Sequence, residues 1–284
     1  MKKILSLFVL LVLSLQFSAS AGVLRGDVNG TGSVNMSDLT SLIGYLLSND
    51  ATGIDLGGAD SNLDGNINVA DVTSLIDYLL TGSWPEAAHE WVDLGLPSGT
   101  LWAICNIGAT SPEDYGDYFA WGETEPKEVY SWATYKWCNG ATYNTLTKYC
   151  PNSDYGANGF VDNKTELDPT DDAAYVNWGP SWRMPTMGQQ EELCEECTWQ
   201  WTTLNGVNGY MITGSNGKTI FMPAAGYRWN DSLDDAGSYG CYWSRTLYSS
   251  SPYYAYNLYF DSGYVYWFYD YRNSGFPVRA VRVQ

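Results

Sequence analysis

Two twelve-residue stretches, 33 positions apart, place oxygen-bearing side chains at the same points. The first offers Asp27, Asn29, Thr31, Ser33, Asn35 and Asp38; the second offers Asp60, Asn62, Asp64, Asn66, Asn68 and Asp71. Gly32 and Gly65 hold the sixth place in each. Calcium takes six to eight hard oxygens. Ligands at positions 1, 3, 5, 7 (through its carbonyl), 9 and 12, with a sixth-position glycine for the sharp turn, are how one loop supplies them. The spacing predicts two calcium sites. The first is expected to be weaker, because Thr31 stands where the second loop has the carboxylate of Asp64.

The elements that hold these loops repeat as well. After each loop, apolar residues fall at Leu39, Leu42, Ile43, Leu46 and Leu47, and at Val72, Leu75, Ile76, Leu79 and Leu80. That i, i+3, i+4, i+7, i+8 spacing makes an apolar stripe on each of two short helices. Neither helix can bury its stripe alone, so the two must pack together, and metal binding becomes part of the folding free energy. No Lys or Arg occurs from residue 26 to 126 while acidic residues recur, so without a cation the region repels itself.

This loop-then-helix duplication resembles the type I dockerin family over about residues 25 to 82. The resemblance implies an all-α calcium module, residues 22–83, that docks to a cohesin domain on a scaffold protein. Where many type I dockerins carry Ser-Thr pairs toward the cohesin, this chain has Met36-Ser37 and Val69-Ala70.

Lys2 and Lys3, an apolar run from Ile4 to Leu15, and Ala19-Ser20-Ala21 before Gly22 have the parts of a secretory signal, residues 1–21. The remainder is expected to be secreted or held at the cell surface, with no transmembrane segment. The 284 residues carry a formal net charge of −18, the wrong sign for neutralising phosphates, which excludes nucleic acid as a partner. With His89 the only histidine, a Ser or Cys triad and a His-rich zinc site are also excluded. Paired carboxylates are too common here to mark an active site, so a binding protein rather than an enzyme is expected.

From Trp84 onward the helical period gives way to Gly, Trp, Tyr and short alternating runs, defining a second domain, residues 84–284. Thr186 with Gln189 forms a capping box that predicts a helix through Cys197. Strands are predicted over residues 199–204, 209–213 and 218–222, turning at Asn205-Gly206 and Ser215-Asn216-Gly217. The expected class is α+β, with long loops over a small sheet. Val92-Asp-Leu-Gly-Leu-Pro-Ser-Gly-Thr-Leu-Trp102, Tyr115-Gly-Asp-Tyr-Phe-Ala-Trp-Gly-Glu123, Trp182-Arg-Met-Pro185, Ile220-Phe-Met-Pro-Ala-Ala-Gly226 and Tyr242-Trp-Ser244 resemble the Fibrobacter succinogenes major paralogous domain family. That family is similar to the C-type-lectin-like fold. Among six cysteines in an exported chain, Cys138 and Cys150 are the pair expected to be bridged. Cys194-Glu-Glu-Cys197 is read as disulfide or buried thiol, its glutamates raising rather than lowering thiol pKa values.

Eleven of the 23 tyrosines lie between Tyr239 and Gly275, interleaved with Ser, Asn and Asp. Rigid amphipathic rings among small polar residues are the composition of a binding face. The candidate ligand contacts are Arg245, Tyr248, Ser250, Tyr253, Tyr254, Tyr259, Asp261, Tyr264, Tyr266, Phe268, Tyr269, Asp270, Tyr271, Asn273 and Ser274. Tyr, Asp, Ser and Asn are all reached from an AAC codon by changing adenines alone. Such a block at the carboxy terminus of a C-type-lectin-like domain resembles the variable proteins of diversity-generating retroelements. The expected function is ligand binding or adhesion to a protein or glycan. The alternative is a dockerin-bearing component of a polysaccharide-degrading complex.

Overall fold

The computed structural model describes residues 24–62, 66–82, 84 and 89–282. The expected secretory signal and the proposed ligand Asp64 lie outside the described residues. The chain divides into two compact units, Met1–Ser61 with Asn66–Trp84, and Asn62–Gly65 with Pro85–Gln284. Among the described residues no helix is long and apolar enough to cross a membrane.

The first unit holds α1 (Met36–Ser48), the single turn α2 (Leu56–Ala59) and α3 (Val69–Thr81). The long helices start two residues before position 12 of their loops, because position 9 is an N-cap. Asn35 Oδ1 accepts from Ser37 N at 2.8 Å, and Asp38 returns the favour to Asn35 N at 2.8 Å. Asn68 and Asp71 repeat this box at 2.8 and 2.8 Å, so the same side chains that would hold a cation also satisfy the helix N-termini. Both helices end on left-handed residues, Asn49 (φ 54) and Gly82 (φ 74).

Leu39, Leu42 and Leu75 are buried with Val28 and Ala59, and Leu46, Val72 and Leu79 pack around them. The apolar stripe is narrower than its sequence suggests: Ile43, Leu47, Ile76 and Leu80 face outward. One partner helix covers only an i, i+3, i+7 line. The loop region closes through Gly26 N to Gly58 O and Asp55 N to Val28 O, each 2.8 Å. Gly58 permits this approach, since a Cβ there would lie 2.5 Å from Asp27 O. Trp84, expected with the second domain, stacks on Tyr78 at 4.1 Å and under the Arg25 guanidinium at 4.6 Å, so it completes the first unit.

The second unit is built mainly of antiparallel strands. β1 (Trp91–Asp93), β2 (Leu101–Ala103), β12 (Val281–Arg282) and β3 (Trp182–Arg183) form one sheet in that order, joining the two ends of the unit. β4 (Thr198–Leu204), β5 (Val207–Thr213) and β6 (Thr219–Pro223) form a meander. Its first turn, Asn205 (φ 49) and Gly206 (φ 88), has the two positive φ angles of a tight hairpin. β7 (Tyr227–Trp229) pairs with β8 (Ser232–Asp234). β9 (Gly240–Leu247), β10 (Tyr254–Phe260) and β11 (Val265–Tyr271) make the sheet that carries the Tyr-rich segment, with β11 at its edge.

α5 (Met187–Glu196) starts at the expected Thr186–Gln189 box, and α4 (Ala173–Trp178) is an additional helix, too short to show an apolar period in the sequence. Its N-cap, the buried Asp172, accepts from Ala174 N and Tyr175 N and reaches Met184 N at 3.0 Å. Alternate residues of β9 and β10 enter two cores. Trp243 and Ala255 pack with Trp121, Trp182 and Phe276, while Tyr242, Leu258 and Phe260 pack with Leu193 and Tyr210.

Candidate calcium loops and aromatic face

In the first loop both carboxylates point inward. Asp27 accepts from Thr31 N at 2.9 Å and Gly32 N at 2.6 Å, and Asp38 accepts from Asn29 N at 3.2 Å and Asn35 N at 2.8 Å. Asp27 is 5% exposed and Asp38 0%. Asn29 Oδ1, at position 3, is buried with no hydrogen-bond partner among the described residues. An orphaned oxygen in the same loop as two buried carboxylates is the donor set of a cation site, since burial without a counter-charge is costly. The residues fit calcium, with Asp27, Asn29, Thr31, the Ser33 carbonyl, Asn35 and Asp38 to hold it. The ion would neutralise the carboxylates. In the second loop Asp71 is fully buried and Asn68 caps α3 in the same way, while residues 63–65 lie outside the described region.

The residues that face out of the helices are also duplicated. Met36, Ile43 and Leu47 on α1 are 64%, 40% and 85% exposed, and the equivalent Val69, Ile76 and Leu80 on α3 are 73%, 38% and 80% exposed. This unit thus leaves two matching apolar rows uncovered.

In the second unit the Tyr-rich segment forms a continuous belt of touching rings. Tyr143, Tyr155, Tyr253 and Tyr254 follow one another at 6.4, 5.1 and 4.4 Å. Tyr254 meets Tyr271 at 4.7 Å and Tyr269 at 5.2 Å, and Tyr269 stacks on Tyr248 at 4.1 Å. Phe268, Tyr266, Tyr259 and Tyr239 continue it along β11 and across its far side. A hydrogen bond with Tyr271 and then burial push the Tyr254 hydroxyl above the ordinary phenol range; burial and then Asp261 do the same to Tyr259. The exposed members are Tyr143, Tyr266, Trp267 and Phe268, with Tyr264 exposed in the turn before β11.

Most of the expected contacts come together here, but not all. Ser250 lies exposed in the β9–β10 connection, and the half-buried Arg245 is engaged with Glu166 at 2.5 Å. Asp261 sits in the β10–β11 turn, where it accepts from Gly263 N and Tyr264 N at 2.8 and 3.0 Å. Asp270 is half-buried, with its carboxyl raised by burial, and accepts from Tyr271 N at 2.6 Å. Asn273 and Ser274 must be removed from the face. They are 0% and 2% exposed, because the chain after β11 turns inward to bond Gly275 to Arg228 at 2.7 and 2.9 Å.

Several further residues belong to this surface. Trp267, absent from the expected contacts, is 41% exposed. Trp201, Asn208, Ser238 and Tyr239 join Asp261 and Tyr264 around an open groove of about 530 Å³. Nothing in local spacing brings residues 201, 239 and 264 together. Arg272 is fully buried beneath the belt. Its guanidinium donates to Tyr135 Oη, Tyr149 O, Pro252 O and Lys148 O at 2.8–3.2 Å and faces the Trp121 ring at 4.8 Å. A lone Arg after Tyr271 was the one available signal.

The expected Cys138–Cys150 bridge is not formed. All six cysteines are free. Cys138 Sγ turns to Thr142 O at 2.9 Å and Cys150 Sγ to Asn152 O at 3.1 Å, each into its own turn. Cys194 is pushed up to about 12 and Cys197 to about 11, by burial first and then by neighbouring glutamates, so both are poor nucleophiles.

No curated protein and no solved structure matches this chain. Residues 191–281, from α5 to β12, match the model of a domain of unknown function (DUF8237). Residues 25–80 match the model of the Dockerin type I domain, so the first unit carries a calcium-dependent attachment module whose kind of partner is a cohesin.

Proposed function

We propose that the chain is an exported, non-catalytic binding protein, attached through its dockerin unit and holding a protein or glycan ligand on the aromatic belt of its second unit. Two calcium ions order the loops, the second more tightly held. The outward rows Met36, Ile43, Leu47 and Val69, Ile76, Leu80 offer the cohesin-type partner two equivalent docking faces. Dockerin domains occur in extracellular or cell-surface proteins, which supports the expected address.

One observation carries the ligand reading: a connected belt of rings runs out to half-exposed Tyr266, Trp267 and Phe268, and Tyr264, at 70% exposure, stands in the turn beside them. Large amphipathic rings held in place by their neighbours lose little entropy on contact. The sheet that joins β2 to β12 supports the C-type-lectin-like reading, and the exposure of Ser249, Ser250, Ser262, Tyr264 and Tyr266 supports a retroelement-varied face. A template copy beside the gene, differing only at adenines, would test the latter.

The test of binding is an array of proteins and glycans probed with the full chain and with Tyr264→Ala and Tyr254→Ala. An anchoring ring should lose about 2 kcal/mol, roughly thirtyfold in affinity, on truncation. Equal binding by all three chains would sink the reading. The polysaccharide-degrading alternative is favoured by the groove at Trp201, Tyr239 and Tyr264, which has Asp261 and Asn208 on its rim and no basic side chain, as a neutral glycan prefers. Turnover of a glycan by the full chain would favour it over binding alone.

A further inference from the structure

β11 is the edge of its sheet. Asp261 N bonds to Tyr264 O at 3.0 Å and Arg272 N to Tyr253 O at 3.1 Å. With the register of β10 and β11, these two bonds fix which main-chain groups face inward. Tyr264, Tyr266, Phe268 and Asp270 turn theirs toward β10; Val265, Trp267, Tyr269 and Tyr271 turn theirs away. Tyr271 is satisfied, its N–H by Asp270 and its C=O by Ser274 N at 2.9 Å. The N–H and C=O groups of Val265, Trp267 and Tyr269 have no partner among the described residues.

Natural sheets guard such an edge with lysine, proline or a bulge. β11 has none of these; the bulge of this sheet lies between β9 and β10. The side chains along it are Tyr264 at 70% exposure, Tyr266 at 43%, Trp267 at 41% and Phe268 at 43%.

We propose that this edge is an interface between two copies of the chain, β11 pairing antiparallel with β11 about a two-fold axis at Trp267. In that register Val265 lies opposite the partner's Tyr269, and Trp267 lies opposite the partner's Trp267. All the outward groups are then used: three residues on each strand, each giving one donor and one acceptor, make six hydrogen bonds. Tyr266 meets the partner's Phe268, so the half-exposed rings cover one another. The only charge on β11 is Asp270, which falls opposite the partner's Tyr264, so no like charges face each other. This self-match selects a second copy over an unrelated extended peptide, which would need only the main-chain groups. One ring must turn: Phe268 leans onto Tyr269 at 5.0 Å in the single chain. The pairing does not rest on the ligand reading: it would cover Tyr266, Trp267 and Phe268 and leave the other exposed ring of the belt, Tyr143, with its neighbours Tyr253 and Tyr254, to a ligand.

Each copy carries −18, so repulsion opposes the pairing and salt should favour it. Sedimentation velocity of the full chain, from about 1 to 100 μM at ~0.15 and ~0.5 M salt, should show a monomer–dimer equilibrium shifted toward dimer by salt. Trp267→Pro removes an N–H that β10 does not use, a position where an edge strand tolerates proline. Trp267→Lys places two ammonium groups face to face on the axis. Each should weaken association by about tenfold or more with the circular dichroism unchanged, while Tyr143→Ala, away from β11, should not. If the proline variant unfolds, the lysine variant carries the test. A monomer under every condition, or a dimer that survives both Trp267 variants, overturns the proposal.

Discussion

Replacing Asp38 by Ala tests whether one carboxylate both caps α1 and holds a cation. Its side chain is fully buried and accepts two main-chain N–H groups, from Asn29 and Asn35. Bonds to a charged acceptor contribute roughly 1.5–3 kcal/mol each, and the Asn29 N–H can recover part of its loss by meeting water, so the change should cost about 3 kcal/mol without metal. Calcium adds a second effect. At a hundredfold excess over its dissociation constant, an ion bound only by the folded state stabilises by about 2.7 kcal/mol, or roughly a hundredfold in amide protection. Hydrogen exchange read by mass spectrometry on peptides from α1 and α3, in calcium and in chelator, separates the two. The wild-type chain should gain protection in both helices with calcium. Asp38→Ala should exchange faster in chelator and lose the calcium response of α1, while α3 keeps the share supplied by the second loop. An unchanged response in α1, or a wild-type response confined to the second unit, would refute the dual role.

Three further outcomes are expected. Alkylation of the denatured, unreduced chain should label all six thiols, and reducing agent should leave the melting temperature unchanged; a mass two units light before reduction would restore a bridge. Arg272→Met should cost about 4 kcal/mol, because four acceptors lose a charged donor in a closed site, and chemical denaturation measures it; a cost below 1 kcal/mol would contradict that burial. Asp270 has its carboxyl raised by burial. Its favourable contribution is therefore present below about pH 4 and is lost as pH rises through the folded pKa. Asp270→Asn, which keeps an acceptor for Tyr271 N, should thus stabilise the chain at pH 7 and change little below about pH 4, in unfolding curves at the two pH values.

The local part of this protein was legible because its physics is local. Position-by-position oxygens and a glycine make the loops, a Thr-x-x-Gln box starts α5, and Asn-Gly turns β4 into β5; each needs only neighbours within a few residues. The buried helix stripe is narrower than the apolar period, since periodicity shows which residues can face inward but not how much one partner helix covers. The density of tyrosine marked β9–β11. It did not show that Asn273 and Ser274 turn inward where Gly275 bonds Arg228, or that Trp267 faces solvent at the sheet edge.

The sequence by itself determined the duplicated loop-helix unit, the α+β class and the aromatic segment. Only the tertiary structure decided the rest: which rings stay exposed, that Arg272 anchors the belt from beneath, that all six cysteines are free, and that Trp201, Tyr239 and Tyr264 share a groove. The reason is physical. These features depend on segments far apart in the chain, whose meeting is set by the packing of whole sheets rather than by the spacing of any few residues.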